Sequence, residues 1–389
     1  MDPGKRFIAG LLFFFVFGIG ILTLVRNIAG IQDIRLTGLE IKGGFPTISV
    51  KSFWAGDFQN RLDKWVSTNL GLRGAFVRLD NQINFSFFNE ISSKYESKII
   101  LGKDGWLFEK GYIDSLNHRD KVPQTLLDDK VRSLKKLQAL LESNGIHFLF
   151  LITPNKATIY PEYIKDKYII PKNSTKESNH EKIVPLLQEY GVRHLDGHQY
   201  LLSMKKRGPY PVYPASGTHW SFYSSCYFTL ELISTLESLT KQKMGKFQVD
   251  RIQITKRPFS LDKDLASLAN ILFEKSLYGK EYYYPETSPS VSVENVFRPR
   301  MLFVGGSYLS VLFYYLEKHP VYSKLDFYYY YKQNIEYPAH TFKPIDKKNL
   351  DLKREILSKD IVVIETNETA LPEIGFGFIE DALKALEKE

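Results

Sequence analysis

The chain has 389 residues, 43% of them hydrophobic, enough for one large domain with extensions or for two domains. Its net charge of +8 is a mild excess that favours anionic partners such as acidic glycans or lipid head groups without demanding them. The absence of a dense Lys/Arg block and of zinc-finger spacing argues against a nucleic-acid binder, and a single cysteine, Cys226, rules out an intramolecular disulfide.

Lys5 and Arg6 precede an uncharged apolar run from Phe7 to Val25. At about 1.5 Å per residue, this run just spans a bilayer core of about 30 Å. A cleavable signal has a shorter apolar core and small residues at its cut site, whereas this run ends in Leu24 and Val25. Residues 1–27 are therefore predicted to be an uncleaved N-terminal transmembrane anchor. Arg26 and Arg35 follow the run, so charge orients it only weakly. With the N-terminus inside, the remaining chain lies outside the cytoplasmic membrane.

Residues 28–95 read as a linker and a helical segment. Phe58, Leu62, Trp65 and Val66 recur at helical spacing, and an amphipathic pattern continues after Gly71. "KIILGKDGWLF" then reads as strand, turn, strand around Asp104-Gly105.

Residues 96–389 form the main predicted domain, with an α/β rhythm. Leu127, Val131, Leu134, Leu137 and Leu141 share one helix face, and Gly145 is a C-terminal stop. "IHFLFLITP" is a short apolar run typical of a buried parallel strand. "KIVPLLQEYG" and "VRHLD" repeat helix and strand, and "WSFYSSCYFTLELISTLESL" is a further helix. "RPRMLFVGGSYLSVLFYYLEKH" reads as strand, glycine turn and helix, and "LDFYYYY" and "DIVVIET" as strands. Such alternation predicts βαβ units and a mostly parallel sheet flanked by helices, with ligands at the C-terminal ends of the strands. "KNSTKESNHEK" reads as a surface loop.

Ser307 follows Gly305-Gly306 at the start of a helix, where free N–H groups and the helix dipole stabilise an anion such as an acyl-transfer oxyanion. The bland alternative is that Ser307 only caps the helix. A serine nucleophile needs a base. His219, in "SGTHWSFYSS", sits in a turn just before a helix, from which it can reach the sheet edge; alone it would read as a structural loop histidine. The backbone N–H groups of Gly306 and Ser307 are the first oxyanion candidates. Asn155, after "LITP", could donate to the oxyanion or a substrate hydroxyl, or serve turn chemistry after Pro154. Lys156 could meet a substrate carboxylate or acyl oxygen, or stay solvated. Trp220 could wall the acceptor site or anchor the next helix. Tyr308, beside the nucleophile, completes the candidates for oxyanion or substrate binding.

Several stretches resemble the alginate O-acetyltransferase AlgX/AlgJ-like family of the SGNH hydrolase superfamily. They are "KWVSTNLGLRGAFVRLDNQINF", "ILGKDGWLF", "FLITPNKATIYPEYI", "SGTHWSFYSS", "LFVGGSYL" and "KDIVVIETNE". The histidine motif precedes the serine motif, the order this family has. The resemblance implies an SGNH hydrolase-like fold and acetyl transfer to hydroxyls of an exported polysaccharide in the periplasm. It implies a membrane-bound O-acyltransferase as acetyl donor and no cofactor. It assigns Ser307 as the nucleophile that becomes acetylated and His219 as the base.

In one respect the sequence departs from the family pattern. The family has an aspartate two residues before the histidine, and here that position is Gly217. Three readings stay open: another acid such as Asp196 or Glu365 orients the ring, a backbone carbonyl does so in a Ser–His dyad, or catalysis is lost and glycan binding kept. An inactive polysaccharide-binding or scaffold protein of an export complex and a carbohydrate acetyl esterase are thus alternatives to the transferase. His194, Asp196 and His198 invite a metal reading, but no further ligand cluster accompanies them and no metal is expected. The tyrosine runs 282–284 and 328–331 could stack on sugars, or pack in strands.

Overall fold

The computed structural model describes residues 2–13, 17–18, 20–21, 25, 28–30, 34–38, 44–69, 72–91, 99–170, 177–290 and 296–387. The chain divides into two compact units, one of residues 1–100 and 265–277, the other of residues 101–264 and 278–389.

The first unit is helical. A helix spans Pro3–Phe13, and much of the predicted anchor beyond it lies outside the described residues. Among the described residues no helix is long and apolar enough to cross a membrane. Further helices run Val50–Trp54, Asp57–Asn69 and Arg73–Phe88, the first held by a capping box between Ser49 and Ser52. Residues 265–277 lie within the sequence range 96–389 but cluster with these helices. Asn81 donates to the carbonyls of Ala269 and Asn270, and Arg78 to that of Ile271, which ties the segment to the last helix.

Apart from the first two residues of a short strand at 99–101, the strands lie in the second unit. Around the turn at Lys103–Gly105, β1 is Ile99–Leu101 and β2 is Leu107–Glu109. The main sheet contains β3 (His147–Thr153), β4 (His194–Asp196), β7 (Arg300–Gly305), β8 (Lys324–Tyr329), β9 (Gln333–Tyr337), β10 (Thr341–Pro344) and β11 (Ile361–Asn367). Its order is β10-β9-β8-β7-β11-β3-β4. The five strands from β8 to β4 are parallel, and β9 and β10 add an antiparallel edge that sequence periodicity did not announce. A separate antiparallel pair joins β5 (Phe247–Thr255) and β6 (Tyr282–Pro289).

The central parallel strands β3, β7 and β11 are buried on both faces, which accounts for their unalternating apolar sequences. On one face Phe148, Phe150, Ile152, Leu302, Val304, Val362 and Ile364 pack with the predicted helix stripe of Leu127 to Leu141. That helix spans Gln124–Ser143 and ends before Gly145, whose φ of 73° is the left-handed stop expected of it. On the other face Phe303 meets Phe313 edge to face, from the helix Leu309–Lys318, which packs beside the helix Phe222–Thr240. In chain order β3 leads outward to β4, and β7 outward the opposite way to β8, with β11 between. The crevice beyond β7, β11 and β3 is therefore the switch point at which such sheets bind ligands.

Candidate active site

Ser307 is delivered to that crevice by β7 and the turn Gly305-Gly306. A Cβ at position 305 would lie 2.6 Å from Glu365 Oε2, so that close approach needs glycine, and one at 306 would lie a tight 3.2 Å from the Tyr330 ring. His219 comes from the loop between the helices Gly197–Arg207 and Phe222–Thr240, the second capped by Ser221. The two side chains meet: Ser307 Oγ lies 2.9 Å from His219 Nε2. On the other side of the ring, Nδ1 lies 2.6 Å from Asp264 Oδ2. A carboxylate only accepts, so this contact puts the proton on Nδ1 and leaves Nε2 to accept from the serine hydroxyl. Asp264 is itself positioned, because its Oδ1 accepts the Thr218 N–H at 2.7 Å. Thr218 in turn donates its hydroxyl to Glu109, 2.7 Å away, and its carbonyl accepts from the Tyr308 hydroxyl at 2.8 Å. Burial pushes the Glu109 carboxyl above its usual range.

Asp264 is the residue that sequence reasoning missed. It lies 45 residues beyond His219, at the start of a short helix and in no recognisable motif. Gly217 explains how it arrives. A Cβ at 217 would lie 2.5 Å from the Leu261 carbonyl oxygen and 3.0 Å from the Asp262 backbone. The chain that brings in Asp264 occupies the space where a side chain at 217 would stand.

The two acids expected from sequence to orient His219 do other things. Asp196 caps the helix Gly197–Arg207 and contacts His180 Nε2 at 3.1 Å. Glu365 is fully buried, accepts from the Thr153 hydroxyl and takes the Gly306 N–H at 2.7 Å. Burial raises its pKa. Neither replaces Asp264, because each carboxylate is turned to a different partner.

That last bond also removes an expected oxyanion donor, because the Gly306 N–H is already committed. Among the described residues the Ser307 N–H is not hydrogen-bonded. Asn155 is buried; it caps the next helical turn by accepting from Ala157 N–H and donates to the Tyr112 carbonyl at 3.0 Å. Lys156 is fully buried rather than solvated, and its Nζ donates to the carbonyls of Pro214, Ala215 and Gly217 at 2.7, 3.0 and 2.6 Å. Burial pulls its pKa down to about 7. Trp220 is buried against Phe228 and Tyr308, and its Nε1 donates to the Tyr308 carbonyl, so it anchors the loop from inside. The run 282–284 packs in β6, where the Tyr282 hydroxyl meets Ser216 Oγ. In the run 328–331 the strand stops at Tyr329, and Tyr330 turns its hydroxyl to within 3.4 Å of Ser307 Oγ.

A second polar cluster stands at the ends of β4 and β11. His198 Nδ1 binds Glu368, which also accepts from Thr158, and the His180 and His198 rings lie 4.6 Å apart. Burial disfavours the charged form of His180, but Asp196 and neighbouring acids outweigh it and raise its pKa. His194 turns away to the Val192 carbonyl. Among the described residues no group of His, Cys, Asp and Glu could hold a metal ion.

A mostly parallel sheet with this serine and histidine at its C-terminal edge defines an SGNH-like α/β protein. The chain matches the family described as "SGNH hydrolase-like domain, acetyltransferase AlgX" over residues 99–308, more than half its length, and it belongs to that family. No curated protein gives a significant match. Among solved structures it is similar to the O-acetyltransferase domain of Pseudomonas putida AlgJ, at 17% identity over 70% of this chain and 92% of that one, with a TM-score of 0.45. It is similar to Pseudomonas aeruginosa AlgX at 12% identity over 73% and 67% of the two chains (TM-score 0.45). Bacillus cereus PatB1 is a further neighbour, at 9% identity over 70% and 96% (TM-score 0.41).

Proposed function

We propose that this protein transfers acetyl groups to hydroxyls of an exported polysaccharide through an acetyl-Ser307 intermediate. The observation that carries the reading is the unbroken chain Ser307 Oγ, His219 and Asp264, at 2.9 and 2.6 Å. Family membership supports the acetyl group as cargo.

In the proposed first half-reaction Ser307 Oγ attacks the carbonyl carbon of an acetyl donor while His219 Nε2 takes the hydroxyl proton. Asp264 holds the ring tautomer and stabilises the imidazolium. Collapse of the tetrahedral adduct breaks the bond to the leaving oxygen, which takes the proton from His219. In the second half-reaction an acceptor hydroxyl gives its proton to His219 and attacks the acetyl-serine, which releases Ser307 with its proton restored. The acid whose absence from position 217 left a non-catalytic scaffold open has a substitute in Asp264, and this supports the enzyme reading. The proposal includes the N-terminal apolar segment as an inner-membrane anchor, the main domain in the periplasm and a membrane-bound O-acyltransferase as donor. The mild positive charge suits a position near anionic surfaces.

The test is intact-protein mass spectrometry of the full chain in detergent after incubation with an activated acetyl ester. Wild type is expected to gain one acetyl group on Ser307, and folded Ser307→Ala and His219→Ala variants to gain none. A chase with oligosaccharide should discharge the adduct faster than buffer does; discharge by buffer alone at the same rate would make the protein an esterase. A folded wild type that never acquires the adduct would falsify the catalytic reading.

A further inference from the structure

The committed donors around Ser307 leave a deficit. An acyl-transfer site needs donors aimed where the oxyanion forms. The Gly306 N–H is spent on Glu365, and the Asn155 amide puts one of its two N–H groups on the Tyr112 carbonyl, so of the expected backbone pair only the Ser307 N–H stays available among the described residues. On the other side of Ser307 stands the Tyr330 hydroxyl, 3.4 Å from Oγ.

Its placement is specific and conformationally costly. Tyr330 and Tyr331 follow β8 in consecutive left-handed conformations, φ 48° and 52°, a backbone that non-glycine residues adopt at a cost of about 1 kcal/mol or more each. The surroundings enforce it. The Tyr330 N–H donates to the Gly305 carbonyl at 2.8 Å, on the nucleophile's own turn. Tyr331 is buried beneath, edge-on to Phe378. The Tyr330 ring stands edge-on to Phe376 at 5.0 Å and lies against Gly306, where a Cβ would crowd it. Without the left-handed pair the ring would continue along the strand, away from the serine.

We infer that the Tyr330 hydroxyl is a catalytic oxyanion donor that acts with the Ser307 N–H, a reading that rests on the acetyl-serine chemistry proposed above. When Oγ bonds to the carbonyl carbon, the carbonyl π electrons move onto its oxygen, two bonds from Oγ. With that oxygen turned to the Tyr330 side, a donor 3.4 Å from Oγ comes within hydrogen-bond range of the new anion. The tyrosine keeps its proton throughout; His219 moves the only one transferred.

The experiment is rapid-quench acetylation of the full chain, followed by intact mass, for wild type and Tyr330→Phe, with thermal melts of both. Acetylation of the wild type tests the underlying reading by itself, and the Tyr330 inference is read only from the ratio of rates. Loss of one oxyanion donor is expected to slow acetylation about 10²- to 10³-fold at saturating donor, with KM changed by less than threefold and the melting temperature unchanged. Replacement of Tyr330 by 3-fluorotyrosine, a stronger donor of the same shape, is expected to keep the wild-type rate. A Tyr330→Phe rate within threefold of wild type, or a change confined to KM, overturns the inference. So does loss of rate in the 3-fluorotyrosine protein at a pH where its hydroxyl is protonated.

Discussion

At position 217 the absent side chain is the functional feature. Glycine there lets the Leu261–Asp262 backbone pass within the volume of a Cβ, and the passing chain carries Asp264 to the His219 ring. Gly217→Ala is expected to destabilise the fold by roughly 1–3 kcal/mol, because the clash is with backbone that cannot rotate away. It should also slow acetylation by displacing Asp264, and denaturant titration with the adduct-formation rate measures both. Asp264→Asn keeps the shape but removes the acceptor that fixes the ring tautomer, so acetylation is expected to fall roughly 10³- to 10⁴-fold. Single-turnover kinetics on folded protein check this. An Asp264→Asn enzyme within tenfold of wild type would mean that the histidine is oriented by something else.

The short helix Lys156–Ile159 after β3 shows how one element positions a loop. Its first residue extends a buried amine to three carbonyls of segment 214–217 and so fixes the approach to His219. Lys156→Met preserves apolar bulk and leaves the Pro214 and Gly217 carbonyls without this donor, while Ala215 keeps the Leu107 N–H. A loss of roughly 3 kcal/mol or more is expected in urea at pH 7. Burial gives this region its own pH dependence. Asp262 is pushed up to about 7, so between about pH 4, where an unfolded aspartate ionises, and pH 7 the folded state holds a proton that the unfolded state has lost. Stability therefore falls as pH rises across that window. Lys156, pulled down to about 7, acts oppositely: from pH 7 to about 10 the unfolded state binds the extra proton, and stability rises with pH. Denaturation midpoints from pH 4 to 10 should show both limbs, with Asp262→Asn flattening the acidic one and Lys156→Met the alkaline one.

At the scale of the whole molecule, the C-terminal edge of the sheet carries two polar clusters with different work. One, beyond β7, joins serine, histidine and aspartate from three distant parts of the chain. The other, beyond β4 and β11, pairs His198 with Glu368 and His180 with Asp196, and contains no serine held as Ser307 is. The second cluster is therefore expected to hold the edge together. Glu368→Gln should lower stability by roughly 1–3 kcal/mol, because it weakens the bonds to His198 and Thr158. It should leave the acetylation rate within threefold, as a thermal melt and a rate measured on the same sample would show.

The sequence by itself determined the parallel sheet and the helix stripe of Leu127 to Leu141, and it singled out Ser307 and His219 as candidates, which the structure brings within 2.9 Å of each other. Those signals are local: apolar runs without alternation, 3.6-residue periodicity, a strand closed by two glycines, and a histidine just before a helix cap. Only the tertiary structure decided which acid meets the histidine, because Asp264 reaches it through a contact across 45 residues that leaves no trace in spacing. It also decided which donors are free. Gly306 and Lys156 have suitable groups, but each is spent on atoms distant in the chain, as is one of the two Asn155 amide N–H groups, and hydrogen-bond commitment is set by three-dimensional neighbours. Tyr330 was hidden for the complementary reason. Its run reads as continuous strand, and the left-handed pair that turns it toward Ser307 is imposed by packing and by the Gly305 carbonyl, not by the preference of tyrosine itself.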